Sequence, residues 1–89
     1  MQFSKTLKKL RKKAKLGSYA LARDAYVDPS YVAQLERGAK INPSRDMVLR
    51  LGQALLDNSG DMSLEDVDNL LKAAGYGPLP RNRVSILPK

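Results

Sequence analysis

The sequence predicts an all-α fold, a compact bundle of five short helices followed by an irregular C-terminal tail. Three observations predict it. Apolar residues recur at spacings of three and four along five successive segments, the period of an amphipathic helix. Helix start and stop signals fall between those segments: Asp-Pro, Asn-Pro-Ser, Arg-Gly and Asn-Ser-Gly. No repeat and no hairpin signal competes with this pattern. A chain of 89 residues at 43% apolar content suits one small domain with a modest core.

In the first segment, Phe3, Leu7, Leu10 and Ala14 form an apolar stripe, so a helix is expected over about 3–14 with lysines on its other faces. Gly17-Ser18 breaks it, and either residue can cap a second helix carrying Leu21, Ala22 and Ala25. Asp28-Pro29 starts a third, because the carboxylate accepts from orphan backbone N–H groups and proline is best tolerated at the first helical position. Val32 and Leu35 face inward, and Arg37-Gly38 closes this helix with a cation in the last turn and a residue free to take positive φ. Asn42-Pro43-Ser44 opens the fourth, with Met47, Val48, Leu51, Ala54 and Leu55 inward, and Asn58-Ser59-Gly60 ends it. Ser63 and Asp66 resemble a capping box before the fifth stripe of Leu64, Val67, Leu70, Leu71 and Ala74, with Gly75 as its stop. Gly77, Pro78 and Pro80 then forbid regular helix, and Val84-Ser85-Ile86-Leu87 is long enough only for an edge strand or a docking arm. The expected division is a domain over 1–77 and a tail or arm over 78–89.

Charge and composition narrow the chemistry. The 16 Lys and Arg against 9 Asp and Glu give a net charge of +7, which favours anionic partners such as nucleic acid or acidic lipid. The excess is local: residues 1–45 carry 11 bases and 3 acids, residues 46–89 carry 5 bases and 6 acids. Lys5, Lys8, Lys9, Arg11, Lys12, Lys13 and Lys15 follow one another without an acid, and Asp57, Asp61, Glu65, Asp66 and Asp68 form the opposite run. With no Cys and no His, the chain lacks disulfides, Cys/His zinc ligands, thiol nucleophiles and imidazole bases. No nucleophile is paired with a base, so an enzyme is not expected, nor a metal or other cofactor. No stretch reaches the roughly 20 apolar residues of a membrane span, and the basic start lacks an apolar run and cleavage site. The expected chain is cytoplasmic and unprocessed. Surface binding to a membrane through the first helix is discounted, because its four apolar positions and lack of Trp give too little insertion.

The second and third helices are short, joined by about three residues (Tyr26-Val27-Asp28), and surrounded by bases, which suits a helix-turn-helix. The stretch from Leu16 to Gly38, with Leu16, Leu21, Ala22, Ala25, Val27, Pro29, Ser30, Tyr31, Val32, Leu35, Glu36, Arg37 and Gly38, followed by Pro43, closely resembles the Xre family of phage-repressor-like DNA-binding domains. The likeness runs through Leu51 and loosely to Ala74-Gly75-Tyr76. It implies a bundle of the lambda-repressor-like type that binds double-stranded DNA with its third helix in the major groove. A transcriptional regulator, repressor-like and homodimeric, follows from the same resemblance. Two places depart from the family. Tyr26 stands where glycine is usual and positive φ is expected, at a cost of about 1 kcal/mol or more unless the turn is rebuilt. Gly17-Ser18 replaces the family's Ser-Gln, so the phosphate-contacting Gln has no counterpart.

On this resemblance, Pro29, Ser30, Tyr31 and Gln34 face the bases. Gln34 is the best equipped, since its amide can pair bidentately with adenine; Ser30 can donate or accept, and Tyr31 can meet a thymine methyl or a phosphate. Pro29 has no donor, so readout is sparse and affinity leans on phosphates and DNA shape. Ser18, Arg37, Lys40 and Arg45 are the phosphate candidates, with Lys8, Lys12 and Lys15 as weaker additions. Arg11 and Glu36 match the family's structural ion pair. The competing reading is a protein-interaction module, such as an antitoxin or regulatory subunit, with the acid run and the tail from Val84 to Leu87 as its contact surface. Apolar residues on the fifth helix, Leu64, Val67, Leu70 and Leu71, exceed what one seam needs, which favours a homodimer interface there.

Overall fold

A computed structural model describes residues 2–38 and 42–80 of the chain. Five helices are present: α1 (Gln2–Lys13), α2 (Ser18–Ala25), α3 (Pro29–Arg37), α4 (Arg45–Asn58) and α5 (Leu64–Ala73). No strand occurs among the described residues. The fold is all-α, as the spacing predicts, and the helices close into a ring of neighbours in the order α1, α3, α2, α4, α5. Thus α1 has α3 on one flank and α5 on the other.

The apolar stripes meet inside that ring. Leu7 of α1, Leu21 of α2, Val32 of α3, Val48, Leu51 and Leu55 of α4, and Leu70 and Leu71 of α5 are fully buried. Each such side chain contributes roughly 1.5–3 kcal/mol through removal from water. Met62, from the loop before α5, joins this core. Gly52 lets α4 and α5 come together closely: a Cβ there would lie 2.8 Å from Val67 Cγ1. Glycine interrupts the α4 pattern because Val67 occupies the space of its side chain.

The ends of the helices largely follow their start and stop residues. Asp28 caps α3 with Pro29 in its first turn, and Ser44 caps α4 by accepting from Met47 N. Ser63 and Asp66 form a reciprocal capping box on α5. Gly38 at φ 76° and Gly75 at φ 91° take the left-handed region after α3 and near the end of α5. One stop differs. The first helix ends at Lys13, and the left-handed residue that follows is Lys15 at φ 59°, ahead of Gly17. Leu16 N donates to Arg11 O at 3.2 Å and Lys15 N to Lys12 O at 3.0 Å, so the chain turns before reaching the glycine.

Two expectations about the second half need correction. The supposed surplus of apolar residues on α5 reduces to Leu64, which is 49% exposed, because Val67, Leu70 and Leu71 are all buried within this chain. The acid run is not one outward face either. Asp66 caps α5 and pairs with Lys13 at 2.9 Å, and Asp68 is buried and accepts from Leu79 N at 2.8 Å. That bond and the packing of Leu79 against the core bring the chain after α5 back onto the bundle, and Tyr76 OH donates to Pro43 O at 2.7 Å. Val84 to Leu87 lie outside the described residues.

Candidate nucleic-acid interface

The α2–turn–α3 unit is built from backbone bonds first. Val27 N donates to Ala22 O at 2.9 Å and Tyr26 N to Arg23 O at 3.2 Å, which closes α2. This closure puts Tyr26 at φ 59°, ψ 44°, in the left-handed region. The turn is therefore not rebuilt around the tyrosine. Tyrosine carries the conformation glycine would adopt more easily, at about 1 kcal/mol or more. Its ring is 86% exposed and recovers little by packing. Val27, by contrast, packs against the core and fixes the angle between the helices.

Asp28 then organises the start of α3. Its Oδ1 accepts from Ser30 N at 2.8 Å and from Ser30 Oγ at 2.7 Å. The hydroxyl bond first, and the backbone bond second, hold the Asp28 carboxyl below the usual carboxylate range. Ser30 Oγ thereby has its proton committed to Asp28 and faces outward with acceptor capacity.

The far end of α3 is tied to α1. Arg11 Nε and Nη2 donate to the two oxygens of Glu36 at 2.5 and 2.9 Å, a bidentate pair in which the side chains are 17% and 9% exposed. The third contact of the guanidinium is Nη1 to Leu16 O at 2.9 Å. Arg11 thus joins the end of α3 to the loop entering α2. The hydrogen bond to Glu36 raises the Arg11 pKa above its ordinary value, against the opposing effect of burial.

With both ends held and Val32 and Leu35 buried, α3 presents one outward face. Ser30, Ala33, Gln34 and Arg37 share it, at the spacing of successive helical turns, with Pro29 at its leading edge. Pro29, Ser30 and Arg37 are exposed and Gln34 is half-buried. Tyr31 lies elsewhere: it packs against the core, and burial first, then the nearby Tyr76, pushes its hydroxyl pKa up. Ala33 is not among the residues the resemblance points to, although its spacing from Ser30 and Gln34 marks it as their neighbour. Its methyl group is suited to apolar contact with a thymine methyl.

The remaining candidates sit at helix starts. Ser18 is the first residue of α2, whose N-cap Gly17 offers no side-chain acceptor, so the first backbone N–H groups of α2 lack a side-chain cap. Arg45 is the first residue of α4 and is exposed. Lys40 lies outside the described residues.

Residues 2–56, more than half of the chain, match the helix-turn-helix domain family. The chain belongs to that family. No curated protein and no solved structure matches it significantly. The match runs from α1 into the last turns of α4, so this helix-turn-helix domain has α5 beyond the matched region. Membership supports DNA as its partner and a regulatory role. No helix among the described residues is long and apolar enough to cross a membrane.

Proposed function

We propose that this helix-turn-helix domain is an Xre-like, sequence-preferring binder of double-stranded DNA, a transcriptional regulator of the repressor type, with α3 entering the major groove. The observation that carries the reading is the outward face of α3. Ser30, Ala33, Gln34 and Arg37 lie along it, while Asp28 at one end and the Arg11–Glu36 pair at the other hold the helix. A major groove admits a helix, and side chains along one such face can reach base edges.

Within this reading Gln34 is the principal base reader, pairing through its amide with adenine, and Ser30 acts as an acceptor toward a base amino group. Tyr31 contributes by packing and at most by a phosphate contact, since its ring is partly taken up by the core. Arg37 and Arg45 neutralise phosphates, Lys40 is assigned the same role from its sequence position, and the uncapped start of α2 at Ser18 receives a phosphate through backbone N–H groups. Two copies on half-sites about 34 Å apart would compensate for a sparse readout by avidity. The support for a homodimer is this sparseness and the exposed Leu64.

The class is tested by a salt titration of binding to duplex DNA, single strands and duplex RNA. Duplex DNA is expected to bind most tightly, with an affinity that falls steeply with salt, and Arg37→Ala is expected to flatten the log–log slope by about 1. Equal affinity for all three nucleic acids would remove the major-groove reading, and an unchanged slope would take Arg37 off the phosphates.

A further inference from the structure

On the flank of α1 away from α3, a cleft of about 510 Å³ opens between α1 and α5. Lys9 and Lys13 enter it from α1 and Lys72 from α5. The one acid on its wall, Asp66, is already engaged: Oδ2 accepts from Lys13 Nζ at 2.9 Å and from Ser63 N at 3.1 Å. Although burial acts to raise it, the bonds from Lys13 and Ser63 hold the Asp66 carboxyl below its ordinary range. Among the described residues no carboxylate pairs with Lys9 or Lys72. Lys9 and Lys72 therefore line one cleft without an ion-pair partner of their own, and three lysines against one acid leave it a net positive charge that an anion relieves.

The rest of the lining fits an organic ligand. The Thr6 hydroxyl and the Asn69 amide add hydrogen-bonding groups, and Leu10 and Ala73 give an apolar floor. The volume is in the range of small-molecule sites, and the mostly polar, cationic lining suits a charged ligand with only a small apolar frame. We propose that the α1–α5 cleft binds a small organic polyanion, a molecule with two phosphate or carboxylate groups that meet Lys9 and Lys72 while its frame lies over Leu10 and Ala73. The site is separate from the outward face of α3, because α3 and α5 lie on different flanks of α1. It does not depend on the DNA-binding assignment.

Calorimetric titration of the full chain without DNA, at about 150 mM salt to screen diffuse attraction, is the test. The probes are pyrophosphate, adenosine triphosphate and citrate. One-to-one binding of at least one is expected; preference for the first two identifies phosphate chemistry, and preference for citrate identifies carboxylate chemistry. Lys9→Gln and Lys72→Gln, both at exposed positions, are each expected to weaken binding about tenfold, whereas Lys5→Gln, the same charge change outside the cleft, changes it less than about twofold. Circular dichroism confirms that each variant keeps its helices. Binding of none of the probes, or equal weakening by Lys5→Gln, would overturn the proposal.

Discussion

Helices α3 and α5 are nearly the same length, 9 and 10 residues, yet they are held in different ways. In α5, Val67, Leu70 and Leu71 go into the core, and Gly52 of α4 leaves the space that Val67 fills. Both helices have polar ties at their starts, the Asp28 cap on α3 and the Ser63–Asp66 capping box with its Lys13 pair on α5; in α3, however, only Val32 and Leu35 are buried, and a further bidentate pair, Arg11 on Glu36, holds its finish. An element that must leave one side open to a partner cannot be fixed by burial all round. Directional bonds at its ends secure it without covering the face between them.

The largest effect is expected on the apolar side. Leu70→Ala in α5 is expected to cost about 2–5 kcal/mol in urea melts, because it leaves a cavity in a fully buried position. A loss below 1 kcal/mol would mean that α5 is not secured by its core. On the polar side, Arg11→Ala and Glu36→Ala are each expected to cost about 1–3 kcal/mol, since each leaves a largely buried partner unsatisfied. The double variant will lose less than the sum of the two, because both remove one shared interaction. Strict additivity would deny that the pair is what ties α3 to α1.

The sequence carried most of this framework in local signals. Asp28-Pro29, Ser44, Ser63 with Asp66, Gly38 and Gly75 act at the ends of helices, where the physics is confined to three or four neighbouring residues. What was not legible depends on distant partners. The glycine at 52 has meaning only beside Val67, and Met62 reaches the core only once α4 and α5 have packed. Asp68 reads as one more acid in a run until Leu79 folds back to it. Tyr31 and Gln34 are both plausible readers by type and are both half-buried; what separates them is that Tyr31 packs against the core on the flank of α3 whereas Gln34 lies on the face with Ser30 and Arg37. The α1–α5 cleft joins residues from both ends of the described chain, and no local pattern announces it.

The turn between the two matched helices sharpens the same contrast with a smaller effect. Tyr26→Gly is expected to stabilise the domain by up to about 1 kcal/mol, by relieving a left-handed residue whose exposed ring gains little in return. Destabilisation would show that the Tyr26 ring makes a contact worth more than the strain. The mildest effect is that of acid. In the folded chain the Asp28 carboxyl is held below its ordinary value by the bonds from Ser30, and the Asp66 carboxyl, against the opposing effect of burial, by those from Lys13 and Ser63. A lowered folded pKa gives stability that is present above the unfolded pKa and is lost as pH falls through the folded value. Stability is therefore expected to be level from about pH 7 to 5 and to decline below about 4 in pH-dependent urea melts. A gain on acidification would contradict both assignments.

On the proposed function, the face of α3 left open by this anchoring reads DNA. The most direct measurement compares wild type and Gln34→Ala on a preferred duplex, selected from random sequence, and on unselected duplex DNA. A loss of about 1–3 kcal/mol is expected on the preferred site and almost none on unselected DNA. Equal losses on the two would contradict it and leave Gln34 a positioning residue on a helix that does not read sequence.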